Sequence, residues 1–253
     1  AYKQYFDPET RFMRGKLSDG SWRTPFDPIS AEHRVNDYCE GNAWQYLWLV
    51  PHDPEGLIEL LGGDKAFNKK LDELFSMSSE LGEEASMDIS GLIGQYAHGN
   101  EPSHHTTYLY GYSGEHYKIA EKVRYINKEL YTDKPDGLSG NEDCGQMSAW
   151  YVFSSMGFYP VNPSNGAYVF GSPLFDEVIL NVPGQNKFKI TAKNNSDENI
   201  YIQSVSLNGK DYKYSYITHK QILEGGELKF IMGPNPNKNF GKEKKYRPKS
   251  IIY

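Results

Sequence analysis

The sequence predicts an α plus β fold, helical through about residue 165 and made of antiparallel strands beyond it. Apolar residues recur at helical spacing in five stretches of the first part. After Pro163 the period changes to two. An Asn208-Gly209 pair then stands between alternating runs, which is a strong hairpin signal.

Phe6 to Asp37 is rich in proline, glycine and charge and lacks periodicity, so an extended opening segment is expected. Helices are expected over Ala43–Val50, Asp64–Met77, His104–Tyr112, Glu115–Leu130 and Gln146–Ser155. Phe67, Leu71, Leu74 and Phe75 share one face, as do Ile119, Val123, Ile126 and Leu130. Strands are expected over Phe175–Val182, Lys187–Thr191, Ile200–Val205 and Glu227–Ile231. The tail after Gly233 is rich in proline, asparagine and lysine and should lie along the surface. No repeat recurs at a solenoid period. The expected division is residues 1–165, helical, and 166–253, strands and tail.

Bulk properties exclude some classes. A net charge of −6, with no basic run before Lys238–Arg247, argues against a nucleic-acid partner. No apolar stretch approaches the roughly 20 residues of a membrane span. Twenty tyrosines, beside 4 tryptophans and 12 phenylalanines, suit sugar faces but serve a core equally well. Two cysteines, Cys39 and Cys144, are too few for a disulfide scaffold and leave the compartment open. No signal peptide opens the chain, and Ala1-Tyr2-Lys3-Gln4 is expected to continue an upstream segment.

Three loop-to-helix junctions concentrate polar residues beyond what packing requires. The first runs from Tyr38 through Glu40-Gly41-Asn42-Ala43-Trp44-Gln45 to Tyr46. A carboxyl against an aromatic wall could be a general acid. Glu40 or Asn42 could equally be a helix cap. The second runs from Gly94 to His105, where oxygens from Gln95, Asn100 and Glu101 around glycine suit a hard cation such as calcium. Zinc is the competing reading of its three histidines. However, His104 and His105 are adjacent and would point about 100° apart on a helix. Capping by Asn100, with Glu101 in the first turn, is the structural alternative. The third, Gly140-Asn141-Glu142-Asp143-Cys144-Gly145-Gln146-Met147-Ser148-Ala149-Trp150, places two acids between glycines at a helix start. Acids there also simply favour the helix dipole. Taken together, acids on separate loops fit glycoside hydrolysis by inversion, in which one carboxyl is the acid and another activates water.

These three blocks resemble glycoside hydrolase family 92. So do Gly157-Phe158-Tyr159-Pro160-Val161, Gly171-Ser172-Pro173-Leu174-Phe175-Asp176 and Ser215-Tyr216-Ile217-Thr218-His219. The resemblance runs nearly end to end. It implies part of an (α/α)6 helical toroid followed by a small antiparallel β domain, within a calcium-dependent, inverting exo-α-mannosidase. Carried over by motif, Glu40 would be the general acid and Asp143 the base. Asn42, Trp44, His98 and Asn141 would contact sugar, and Gln95, Asn100 and Glu101 would hold Ca²⁺. The implied metal clamps the mannose 2- and 3-hydroxyls. Position 141 is Asn where similar members carry a second candidate base, which leaves Asp143 as the choice. Gly91-Leu92-Ile93-Gly94 stands where α-1,2-specific members resemble one another in a His-Glu pair, so strict α-1,2 preference is not expected.

The resemblance further implies a mannose-containing glycan as substrate and a secreted, periplasmic or cell-surface location. It also implies a missing N-terminal β-sandwich and missing toroid helices, without which Trp44 and Trp150 are expected to face water. A non-catalytic carbohydrate-binding or structural fragment is the alternative function.

Overall fold

The computed structural model describes residues 1–32 and 34–251. In the opening segment β1 (Phe6–Asp7) and β2 (Phe12–Met13) pair antiparallel. The helical part carries α1 (Ala43–Tyr46), α2 (Pro54–Leu60) and α3 (Asp64–Ser76). A hairpin of β3 (Leu92–Ile93) and β4 (Tyr96–Ala97) follows, then α4 (Tyr110–Ser113), α5 (Tyr117–Glu129) and α6 (Gln146–Met156).

The long helices α3, α5 and α6 fall where the spacing put them. Phe67, Leu71 and Leu74 meet Ile119, Val123, Ile126, Leu57 and Trp48 in one core. Two expectations are shortened. The first helix stops at Tyr46 instead of reaching Val50, because Val50 precedes Pro51 and α geometry is disfavoured there. His104–Tyr112 divides into a 3-10 turn over Thr106–Leu109 and the short α4. The β-branched Thr106 and Thr107 disfavour a continuous helix. Conversely, α2 is absent from the helices expected above, although its start carries a signal: Asp53 caps it through Gly56 N and Pro54 opens it.

The second part holds two sheets among the described residues. β5 (Phe158–Tyr159), β6 (Ala167–Phe170) and β11 (Tyr216–Thr218) form an antiparallel sheet that spans the division expected at 165/166. β7 (Glu177–Val182), β8 (Asn186–Lys193), β9 (Tyr201–Leu207), β10 (Lys210–Asp211) and β12 (Gly226–Gly233) form the other, in the order β10-β9-β12-β8-β7. Its pairs are antiparallel except β12 on β8, which run parallel. This corrects the wholly antiparallel expectation. Alternation specifies the buried face, here Phe188, Ile190, Leu228, Phe230 and Met232, and says nothing about a neighbour's direction. Asn208-Gly209 does turn a hairpin, with both residues at positive φ (51° and 76°), but onto the short β10. α7 (His219–Leu223) is too short to show a period and is held by a Thr218–Gln221 capping box.

Phe153 packs against both cores and Val169 joins the helical one, so the two parts share packing. The tail lies along the surface as expected. Arg247 bonds Asp64 and the Tyr112 carbonyl, and Ser250 N–H donates to Glu55. Trp44 and Trp150 do not face water: they are 6 % and 0 % exposed. Phe12 and Lys70 cover the first, while His98, Tyr108 and Tyr131 enclose the second. No helix of the described residues is long and apolar enough to cross a membrane.

Candidate active site

Glu40 sits in the turn before α1. Its neighbour is clamped from inside that helix, since the Tyr46 hydroxyl accepts from Cys39 N–H (2.9 Å) and donates to Cys39 C=O (2.8 Å). Glu40 has φ 51°, Asp143 φ 46° and Cys144 φ 58°. Positive φ in a residue with a Cβ costs roughly 1–2 kcal/mol. Such strain gathers at functional sites, where the surrounding structure enforces it. Both expected catalytic carboxyls carry it, although a glycine stands one or two residues away in each loop.

The Asn100-Glu101 segment joins the two. The Asn100 amide donates to Glu40 at its carbonyl (3.2 Å) and its carboxylate (3.4 Å). Asp143 and Glu40 act on the Glu101 carboxyl through their charge. Burial, then Asp143 and Glu40, raise the Glu101 pKa above the ordinary carboxyl range, and its Oε1 is buried without a partner. Backbone contact welds the loops: a Cβ on Gly140 would lie 2.2 Å from the Gly99 carbonyl oxygen. No side chain therefore separates them. Glu40, Asn100, Glu101 and Asp143 converge on an open face, with Glu40, Asn141 and Asp143 exposed. The free thiols of Cys39 and Cys144 are exposed as well. A cleft of about 280 Å³, lined by Tyr2, Tyr5, Arg14, Tyr38, Tyr46 and Leu49, opens beside the Glu40 turn.

Other expected site residues lie behind this face. Gln95 is fully buried; its Oε1 accepts from Asn42 (2.9 Å) and its amide nitrogen donates to the Ser78 carbonyl (2.6 Å). It is thus spent on structure, and a cation would have to displace those bonds. Asn42 is fully buried as the cap of α1, accepting from Trp44 N and Gln45 N, which is the structural alternative weighed for it. Trp44 is a core residue. His98 is fully buried, with Nδ1 at 2.8 Å from the Tyr96 hydroxyl and Nε2 at 2.7 Å from the Tyr131 hydroxyl. It supports the site from beneath. Of the four expected sugar contacts, Asn42, Trp44, His98 and Asn141, only Asn141 is exposed.

Asn42→Ala tests the supporting role. It should cost about 2–4 kcal/mol, combining the lost cap with an orphaned Gln95 oxygen. Urea unfolding measures it, and a loss below about 1 kcal/mol would contradict the assignment.

The loops offer oxygen donors to the implied calcium unevenly. Among the described residues no three His, Cys, Asp or Glu side chains form a ready cage. Even so, the unpartnered Glu101 Oε1, crowded by Asp143, has the oxygen chemistry and excess negative charge that a hard cation neutralises. Asn100, Glu101 and Asp143 fit; Gln95 does not.

The catalytic-domain model of Glycosyl hydrolase family 92 matches residues 1–234. The chain belongs to this family. Two family 92 structures from Bacteroides thetaiotaomicron are similar to it throughout. One, an α-mannosidase in complex with mannoimidazole, is 42 % identical with a TM-score of 0.93, covering 99 % of this chain and 33 % of its own. The other, described as an inverting mannosidase, is 38 % identical with a TM-score of 0.86, covering 98 % and 34 %. An uncharacterized secreted glycosidase of Arthroderma benhamiae is 34 % identical over 235 residues, covering 88 % of this chain and 28 % of its own. The chain thus spans about a third of the length of these family 92 relatives.

The motifs missed two members of the site's support. His104 and Gln146 hydrogen-bond each other across the Glu101 and Asp143 loops. In the sequence His104 stood out only as a zinc candidate and Gln146 only as part of the third block, each three residues beyond an acid.

Proposed function

We propose that this chain supplies the acid–base face of an α-mannosidase that hydrolyses terminal α-mannosidic linkages with inversion, aided by calcium, in a secreted protein. The observation that carries the reading is the convergence of Glu40, Asn100, Glu101 and Asp143 from three loops onto one open face. Similarity to mannosidases, one solved with mannoimidazole, supports the substrate class, and similarity to a secreted glycosidase supports the location.

Glu40 protonates the departing glycosidic oxygen while Asp143 takes a proton from the attacking water on the opposite face of the ring. Asn100 holds Glu40 and keeps it in register with the loop of Glu101. Calcium, held by Asn100 and Glu101 with Asp143 beside them, would supply Lewis-acid binding of sugar hydroxyls. The rest of the wall is an (α/α)6 toroid and a β-sandwich contributed by the remainder of the enzyme.

The test is hydrolysis of a synthetic α-mannoside followed by NMR. β-Mannose should appear first, and EDTA should abolish turnover, with recovery on adding Ca²⁺ but not Zn²⁺. First-formed α-mannose would overturn inversion, because retention requires a covalent route. Recovery with zinc alone would overturn the metal.

A further inference from the structure

Gln146 opens α6 three residues after Asp143, and its amide is oriented by its partners. His104, 1 % exposed, places Nε2 at 3.0 Å from the His98 carbonyl oxygen. A carbonyl only accepts, so Nε2 carries the proton. The neighbour of Nδ1 is the amide nitrogen of Gln146, which can only donate, so Nδ1 is the acceptor. Gln146 Nε2 lies 3.1 Å from that Nδ1 and must donate to it. The same nitrogen lies 3.1 Å from the Tyr159 hydroxyl, which takes its second hydrogen. Both donors of the amide are therefore turned inward. Oε1 is left over, and among the described residues no donor bonds it. The Gln146 backbone N–H donates to the Asp143 carbonyl (3.3 Å), so this amide stands at the edge of the carboxyl cluster.

We propose that Gln146 Oε1 is a substrate contact, accepting a hydrogen bond from one hydroxyl of the sugar being hydrolysed, with His104 as the positioning residue that fixes the amide's orientation. This rests on the mannosidase reading. A pyranose hydroxyl is a donor as well as an acceptor, and the carboxylates already provide acceptors for the other hydroxyls. The His98 carbonyl thus sets the tautomer of His104, the tautomer sets the face of Gln146, and the site gains an acceptor whose direction cannot invert without losing two bonds.

The experiment compares wild type and Gln146→Met on an α-mannoside and its four monodeoxy analogues, lacking the 2-, 3-, 4- or 6-hydroxyl. On the parent, Gln146→Met should lower kcat/KM by about 10-fold, the size of one lost hydrogen bond. On one analogue the two proteins should be equal, since the bond is absent from both, while the other three keep the 10-fold gap. Gln146→Met also leaves His104 Nδ1 and the Tyr159 hydroxyl without their donor, so its melting temperature should fall modestly, and activities are compared at a temperature where both proteins are folded. A gap of the same size on all five substrates would overturn the contact and show a purely structural role. Equal activity on the parent would overturn it too. If wild type hydrolyses none of the five, the functional reading fails first, and the contact falls with it.

Discussion

Glu40→Gln and Asp143→Asn should each lower turnover about 10²–10⁴-fold while leaving the fold intact, a loss of about 3–5 kcal/mol of transition-state stabilisation. Both substitutions keep shape and remove only the transferable proton or the proton acceptor. Neither adds backbone strain: Asn tolerates φ near the 46° of Asp143 better than most residues, and Gln matches Glu. The two losses should also differ in kind. A dinitrophenyl leaving group departs without protonation, so on dinitrophenyl α-mannoside the Glu40→Gln deficit should shrink by at least tenfold. The Asp143→Asn deficit should persist, because water still needs its base. Steady-state kinetics on both substrates measures this. Equal deficits for both variants on both substrates would refute the division of roles.

Acid should unfold this chain well before its carboxylates are all protonated. His104, His105 and His116 are held neutral by burial, which lowers each pKa to about 4, and His98 is pushed well below its usual value by burial and by His104. The sign follows from linkage. An unfolded histidine takes up a proton near pH 6.5, whereas His104, His105 and His116 do not until about pH 4, so the unfolded state binds more protons in between. Their stabilisation is complete above pH 6.5 and is lost as pH falls toward 4. At about 1.4 kcal/mol per unit per group, the three histidines with values near 4 could remove a large part of a typical total of about 5–15 kcal/mol, and His98 acts in the same direction. Glu101, whose pKa is raised, opposes this weakly, while Asp7 and Asp53, whose values are lowered, add to the loss only at lower pH. Urea midpoints should fall steadily from pH 6.5 to 4.5, and His116→Asn should reduce that slope by up to one proton. A flat midpoint across this window would show that these histidines are protonated in the folded chain.

The helical and β halves, the three long helices and the family were legible because each is written in local pattern. A 3.6-residue period in Phe67, Leu71 and Leu74 buries one face wherever the helix docks. The loops bearing Glu40, Glu101 and Asp143 were legible as unusual concentrations of polar residues among glycines. Their convergence was not, since Gly99 meets Gly140 across some forty residues of chain, and only packing brings that pair together. For the same reason sequence could not rank the amides: Gln95 and Gln146 look alike on paper. One is fixed behind the site by Asn42 and Ser78, while the other is turned outward by His104 and Tyr159. Strand direction was undecided too, because a period of two buries Leu228 and Phe230 whether β12 runs with β8 or against it. Residue type and spacing determined which groups carry chemistry and which faces are buried. Tertiary structure decided which oxygens remain free, because a lone pair or proton already committed to a buried neighbour is unavailable to a ligand.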